Sequence, residues 1–237
     1  MLILITRFFG RGKKKLPAWP PERPIDEVSN EDLMQMYAKG RAEAFEVLLN
    51  RHERGIYNFI LRSCGNPARA EDMTQDVFLK VIRSAPKYKQ TAKFTTWLYT
   101  IARNRCIDHA RKHGRVHQVS LDRSLSGDGN AQDGDRTFLN NLADSEADAG
   151  NVSIIRKDFR QRLKQALETL PEEQREVFLL REVSGLKFRE IAKVVGVGEN
   201  TVKSRMRYAI EALRGHMEDF RGYSFDHDEK REMGGSP

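Results

Sequence analysis

Cysteine is scarce: Cys64 and Cys106 are the only two among 237 residues. Neither sits in a CxxC pair, so a disulfide framework is excluded, and two isolated thiols suit a reducing compartment such as the cytoplasm. Long apolar runs are also missing. No stretch approaches the roughly 20 residues that span a bilayer, so membrane insertion is not expected. The apolar opening Met1–Ile5 is interrupted by Arg7 and followed by the basic Arg11–Lys15; a secretory signal carries its charges first. Apolar residues reach 39%, low for a single packed globule. Sustained period-two alternation is absent, so no sheet is expected. Catalytic clusters are lacking as well. His52, His109, His113 and His117 fall on basic or polar stretches, and Gly114 separates the last of the evenly spaced set, His117, from His109 and His113. No metal, no cofactor and no catalytic centre are expected, which leaves an enzymatic reading such as a nuclease without residues to carry it.

What is present is charge, unevenly placed. The net charge is +7. Residues 83–115 hold nine Lys and Arg against Asp108 alone, and residues 185–217 hold seven against three Glu. Between them, residues 116–150 hold seven Asp and Glu against Arg123 and Arg136. Two basic blocks flanking an acidic stretch suit a polyanion bound at two places.

The acidic stretch is polar and Gly-rich at 124–135 and cannot bury a core. It divides the chain into expected parts: a disordered basic leader (1–27), a helical domain (28–114), a flexible acidic linker (115–151), a second helical domain (152–217) and a charged tail (218–237). Ser29 followed by Asp32 predicts a capped helix start, with Leu33, Met36 and Tyr37 at helical spacing. Phe45, Leu48, Leu49, Ile56, Tyr57, Ile60 and Leu61 form a second stripe, with a break expected near Gly55. Asn66-Pro67 opens a third helix, carrying Met73, Val77, Phe78, Val81 and Ile82 inward and stopped by Pro86. Thr95 or Thr96 is expected to cap a fourth, through Trp97, Leu98, Ile101, Ala102 and Ile107 to about Lys112. In the second half, Phe159, Leu163, Ala166, Leu167 and Leu170 share one helix ended near Pro171, and Glu172–Val183 forms the next. The fold class is therefore all-α, as two small helical domains.

Three segments carry chemistry. Leu186–Val195 reads as a short amphipathic helix with Phe188, Ile191, Ala192 and Val195 on one face. Gly196-Val197-Gly198 makes a tight turn, and Asn200–Arg214 a second helix with Val202, Met206, Ala209, Ile210 and Leu213 inward. This is helix-turn-helix spacing. Asn200, Lys203, Ser204, Arg207 and Tyr208 face outward near the front of the second helix, where a recognition helix meets base edges. A helical hairpin with a solvated face is the plain alternative. The segment Phe94–Lys112 interleaves aromatics with cations. Cations track phosphates and aromatics stack on unpaired bases, a mixture for single-stranded or distorted DNA, although Trp97 taken alone is expected in the core. Glu71, Asp72, Gln75 and Asp76 make an edge that repels DNA and suits a basic protein surface.

These residues resemble a family. Ala70–Val81 (AEDMTQDVFLKV) followed by Phe94–Asn104 (FTTWLYTIARN) resembles region two of bacterial sigma factors. Leu170–Phe178 (LPEEQREVF), Phe188–Ala192 (FREIA) and Thr201–Arg205 (TVKSR) resemble region four. Two regions without the extra parts of housekeeping members are similar to the extracytoplasmic-function group of the sigma-70 family. The resemblance implies a transcription initiation factor without catalytic activity. It implies that Glu71, Asp72, Gln75 and Asp76, with Phe78, meet a coiled coil of the largest subunit of core RNA polymerase. The Ala85–Lys93 loop with Lys87, Lys89, Lys93, Trp97, Arg103, Asn104, Asp108, Arg111 and Lys112 would open the minus-ten element and capture a flipped base, at a few kcal/mol of unstacking. Asn200, Thr201, Lys203, Ser204, Arg205, Arg207 and Tyr208 would read the minus-thirty-five element. The acidic linker would thread toward the polymerase active-site channel. The resemblance further implies a cytoplasmic protein, monomeric when free, held by an anti-sigma factor in a stress or envelope response. The linker is long for the group, and Gly198 stands where a Ser cap is common. A stand-alone helix-turn-helix repressor or activator is the rival reading; it gives no reason for the acidic edge or the basic aromatic helix.

Overall fold

Residues 24–112 and 151–216 are described by the computed structural model; the expectations for residues 1–23, 113–150 and 217–237 lie outside them. The chain forms two compact units divided at Ser120 and Leu121. No strand occurs among the described residues.

In the first unit, the Ser29 hydroxyl oxygen accepts the Asp32 N–H at 3.2 Å and opens α1 (Asn30–Ala38). The long amphipathic α2 (Ala42–Cys64) follows. Asn66 accepts the Arg69 N–H at 3.0 Å, with Pro67 in the first turn, and starts α3 (Pro67–Ser84). A 3-10 turn at Ala85–Lys87 and a short loop lead to α4 (Phe94–Lys112). α2 packs on α1, α3 and α4, and α3 packs on α4. Leu33, Met34, Phe45, Leu48, Ile56, Phe59, Ile60, Met73, Phe94 and Leu98 fill the core almost without exposure. Each such side chain contributes about 1.5–3 kcal/mol of burial.

Three expectations change here. α2 runs unbroken through Gly55, because hydrogen bonding within a long helix tolerates a single glycine. The cap of α4 is neither Thr95 nor Thr96. The Phe94 N–H donates to Glu31 Oε1 of α1 at 2.6 Å, and Thr96 is buried. Residues 25–27, expected in the leader, form a 3-10 turn. Arg51 of α2 fixes it, donating to the carbonyls of Val28 at 2.7 Å and of Asp26, and to Asn30 Oδ1 at 2.8 Å.

The second unit contains α5 (Asn151–Thr169), α6 (Glu172–Glu182), α7 (Phe188–Val195) and α8 (Glu199–His216). α8 is the hub, packing on α5, α6 and α7. Leu163, Leu167, Leu170, Val177, Leu179, Leu180, Ile191, Val202 and Leu213 form this core. Leu186 is buried but precedes α7, which starts at Phe188. Val194, not Val195, turns inward, and Phe188 is only half-buried, with Arg181 over its ring at 5.0 Å. Ile210, expected inward, is 40% exposed. It follows the buried Ala209 by one position, a rotation of about 100° away from the core.

Candidate polymerase-facing and nucleic-acid interfaces

Glu71, Asp72, Gln75 and Asp76 are exposed along one side of α3, while Ala70, Met73, Thr74 and Val77 are buried on the other. The periodicity of the helix makes that separation. Phe78 does not belong to the exposed edge. It is 4% exposed and meets the Phe45 ring edge-on at 6.4 Å, so it supports the edge from the core. Asp76 is already engaged: its Oδ2 accepts from Arg105 Nε at 2.8 Å, with Nη2 at 2.7 Å. Glu71 and Gln75 instead border a cleft of about 550 Å3 between α2 and α3, lined also by Asn50, Glu53, Arg54 and Tyr57. Two carboxylates, Glu53 and Glu71, therefore face one recess.

Trp97, Ile101, Asn104, Asp108 and Arg111 recur at three- and four-residue spacing, which places them in one stripe along α4. The stripe runs for about 21 Å. Asn104 and Asp108 border a second cleft, about 350 Å3, with Leu79, Lys80 and Arg83 of α3. Arg111 and Lys112 are exposed beyond it, and Arg103 lies half-buried off the stripe. At the other end, Trp97 is half-buried. Its ring centroid lies 5.1 Å from Tyr88 and 5.7 Å from Phe94, with Lys87, Lys89 and Lys93 exposed on the adjoining loop. The structure thus gathers Lys87, Lys89, Lys93 and Trp97 at the loop end, and Asn104, Asp108, Arg111 and Lys112 along the helix.

His52 and Tyr88 complete the loop-end aromatic cluster, each packing on Phe94 at 5.4 and 6.3 Å. Burial, reinforced by Arg51 and partly opposed by Glu31, lowers the His52 pKa to about 4. Burial, then the Glu31 charge, raises that of Tyr88. His52 Nε2 and Tyr88 Oη are both buried without a hydrogen-bond partner among the described residues. Neither residue stands out in the sequence, and Glu31 reaches α4 from 63 positions away.

In the second unit, Gly196 ends α7 at φ 81, where a side chain would be strained, and its N–H donates to the Ala192 carbonyl at 2.9 Å. Glu190, buried at 7%, accepts the Lys187 N–H at 3.0 Å and secures the start of α7. The Gly198 carbonyl accepts the Val202 N–H, beginning α8 without a side-chain cap. Asn200, Thr201, Arg207 and Tyr208 are exposed, and Lys203 and Ser204 partly so. Lys203 pairs with Glu199 at 3.1 Å, and the Arg207 guanidinium lies 5.0 Å from the Tyr208 ring. Arg205 departs from the expected set. It turns toward α6 and pairs with Glu173 at 2.8 Å, since its helical position faces the packed side. The remaining residues present donors and cations from the second helix of a helix-turn-helix.

Among the described residues, no three His, Cys, Asp or Glu are grouped to hold a metal ion. None of their helices is long and apolar enough to cross a membrane. Cys64 and Cys106 are half-buried, and neither is in a disulfide.

Residues 48–116 match the family described as Sigma-70 region 2, and residues 160–213 that described as Sigma-70, region 4. The RNA polymerase sigma factor CarQ of Myxococcus xanthus is 32% identical over 181 residues, covering 76% of this chain and 93% of CarQ. The RNA polymerase sigma-H factor of Pseudomonas aeruginosa is 28% identical over 189 residues, covering 80% and 94%. Among solved structures, CnrH in complex with the cytosolic domain of CnrY aligns with a TM-score of 0.57 at 20% identity, over 81% of this chain and 99% of that one. RpoE of Bartonella quintana, in complex with the anti-sigma factor NepR, aligns with a TM-score of 0.52 at 22% identity, over 75% and 98%. These two show the fold.

Proposed function

The chain belongs to the extracytoplasmic-function group of the sigma-70 family of RNA polymerase sigma factors, and from that premise we propose how its surfaces divide the work of promoter-specific initiation. Residues 28–114 bind core RNA polymerase and open the minus-ten element. Residues 152–217 read the minus-thirty-five element, and residues 115–151 link the two, between a leader (1–27) and a tail (218–237). Glu71, Asp72 and Gln75, with the recess that Glu71 and Gln75 border, dock on the coiled coil of the largest polymerase subunit; Asp76 contributes through its pair with Arg105. The loop end of α4, with Lys87, Lys89, Lys93 and Trp97, receives the flipped minus-ten base. Asn104, Asp108, Arg111 and Lys112 guide the separated strand, with Arg103 beside them. Asn200, Thr201, Lys203, Ser204, Arg207 and Tyr208 enter the major groove at the minus-thirty-five element.

One observation carries this reading. Within a single small unit, acids cover the outer side of α3 while cations and half-buried aromatics line the loop and α4. A stand-alone duplex-binding regulator needs neither surface. The protein has no catalytic activity of its own: the polymerase makes the RNA, and this chain supplies promoter choice and opening. It acts in the cytoplasm and is monomeric when free. Because RpoE of the same fold forms a complex with the anti-sigma factor NepR, an anti-sigma factor is expected to hold this chain until a signal releases it.

The test is runoff transcription on fragmented genomic DNA of the host, with core polymerase alone as control. Discrete transcripts that require the protein support the reading. Their absence, together with tight sequence-specific duplex binding without polymerase, would replace it with a repressor or activator.

A further inference from the structure

α1 and the first turns of α2 precede residue 48, where the region-two match begins. Yet α1 reaches the loop assigned above to base capture at both its ends. At the far end, Glu31 Oε1 accepts the Phe94 N–H at 2.6 Å. Phe94 is the first residue of α4, and the Lys93 carbonyl already accepts the Trp97 N–H. The first amide of a helix has no intrahelical acceptor, so the carboxylate of Glu31 fills that role from another helix. One turn along α1, Gln35 Nε2 lies 3.4 Å from Gln90 Oε1 in the middle of the loop. At the near end, Tyr88 is close enough to Glu31 for that charge to act on its hydroxyl. Tyr88, Phe94, Trp97 and His52 interlock ring against ring between these points. Thr96 is buried, with its carbonyl accepting from Thr100 Oγ1 at 2.8 Å.

We propose that Glu31 is a positioning residue for promoter opening: by holding the first amide of α4 it fixes the loop Tyr88–Lys93 and the Trp97 ring in the arrangement that receives the extruded base. Gln35 steadies the loop's middle. α1 is then part of the opening machinery although it touches no DNA itself. A preorganised loop lowers the ordering cost of capturing a base, and so favours the open complex without altering attachment to core polymerase. The inference rests on the base-capture reading of the loop.

Two variants separate reach from charge. Glu31→Gln keeps the length and an amide oxygen that can accept the Phe94 N–H. Glu31→Asp keeps the charge but is one methylene short. Each full-length variant is assembled with core polymerase on a promoter fragment found by runoff. Core retention is measured together with permanganate reactivity of unpaired thymines in the minus-ten element. At equal retention, Glu31→Asp is expected to lower the open fraction about fivefold, the equivalent of losing a helix cap worth about 1 kcal/mol. Glu31→Gln is expected to stay within about twofold of wild type, since a neutral acceptor still satisfies the amide. The reverse ranking, equal opening in both variants, or retention falling in step with opening overturns the proposal. Wild-type protein that binds core polymerase but opens no fragment overturns the base-capture reading itself, before either variant is compared.

Discussion

The hydroxyl oxygen of Tyr99 lies 2.9 Å from the point a Cβ at position 55 would occupy. Gly55 is therefore a point of close approach between α4 and α2, not where α2 breaks. Phe59, one turn on, meets the same Tyr99 ring edge-on at 5.6 Å, and burial pushes the tyrosine hydroxyl above its ordinary pKa. Gly55→Ala gains about 1 kcal/mol of helix propensity but forces an overpacking cost of about 1–3 kcal/mol. A net loss is expected in urea unfolding followed by Trp97 fluorescence in a Trp19→Phe background. With Tyr99→Phe already in place, the same alanine is expected to stabilise. A loss of the same size in both backgrounds would show that the hydroxyl is not the obstacle.

His52 gives the first unit a pH dependence whose sign follows from its surroundings. Its folded pKa of about 4 lies below the ordinary 6.5, so the unfolded chain takes up the proton first as pH falls. Its contribution to stability is full above pH 6.5 and is lost between 6.5 and 4, at up to about 1.4 kcal/mol per pH unit. The expected result is an unfolding midpoint that drops below pH 6.5 in wild type and drops less in His52→Phe, whose ring can keep the contact with Phe94. Parallel slopes for the two proteins would refute it.

The helices, the two-part division and the helix-turn-helix were legible because they rest on local signals: Ser29 and Asn66 at caps, apolar spacing of 3.6, and Gly196 at a positive φ. What escaped depends on partners distant in the chain. Gly55 reads as a breaker until Tyr99, 44 positions on, is seen against it. Thr95 and Thr96 are good local caps, but Glu31 arrives from α1 to accept the Phe94 N–H, and Thr96 is buried. Charge in the sequence also does not show which cation is already engaged. Arg205 and Arg207 read alike, yet only the first turns toward Glu173. The same holds along the acidic edge, where Asp76 alone meets Arg105.

That difference among the acids predicts unequal effects on polymerase attachment. Asp76→Asn removes a carboxylate already compensated at 2.7 Å. It is expected to weaken core binding about twofold, through loss of an exposed pair. Glu71→Lys with Asp72→Lys reverses two exposed charges and is expected to weaken binding about tenfold or more, mainly by slower association and with a reduced salt dependence. Competition of each variant against labelled wild type for limiting core polymerase checks this. An Asp76→Asn effect as large as the double reversal would mean that the Arg105 pair itself forms the docking surface.

Arg205 and Arg207 stand two positions apart on α8 and are predicted to fail in different assays. Arg205 has a side-chain exposure of 19% and spans to Glu173 at 2.8 Å, so Arg205→Ala is expected to cost the second unit about 0.5–1 kcal/mol. Glu173→Gln should cost nearly as much, and the double variant little more than either, because both remove one interaction. Minus-thirty-five binding by the folded protein should be unchanged. Arg207 is exposed and lies beside the Tyr208 ring. Arg207→Ala should leave the unfolding midpoint in place and weaken minus-thirty-five binding by holoenzyme. If Arg207 contacts a phosphate, the loss is uniform across promoter sequences and the salt slope falls by about one; if it reads a base, the loss is about 1–3 kcal/mol and confined to one position of the element. Stability and binding that change together in both variants would break the division of α8 into a packed side and a reading side.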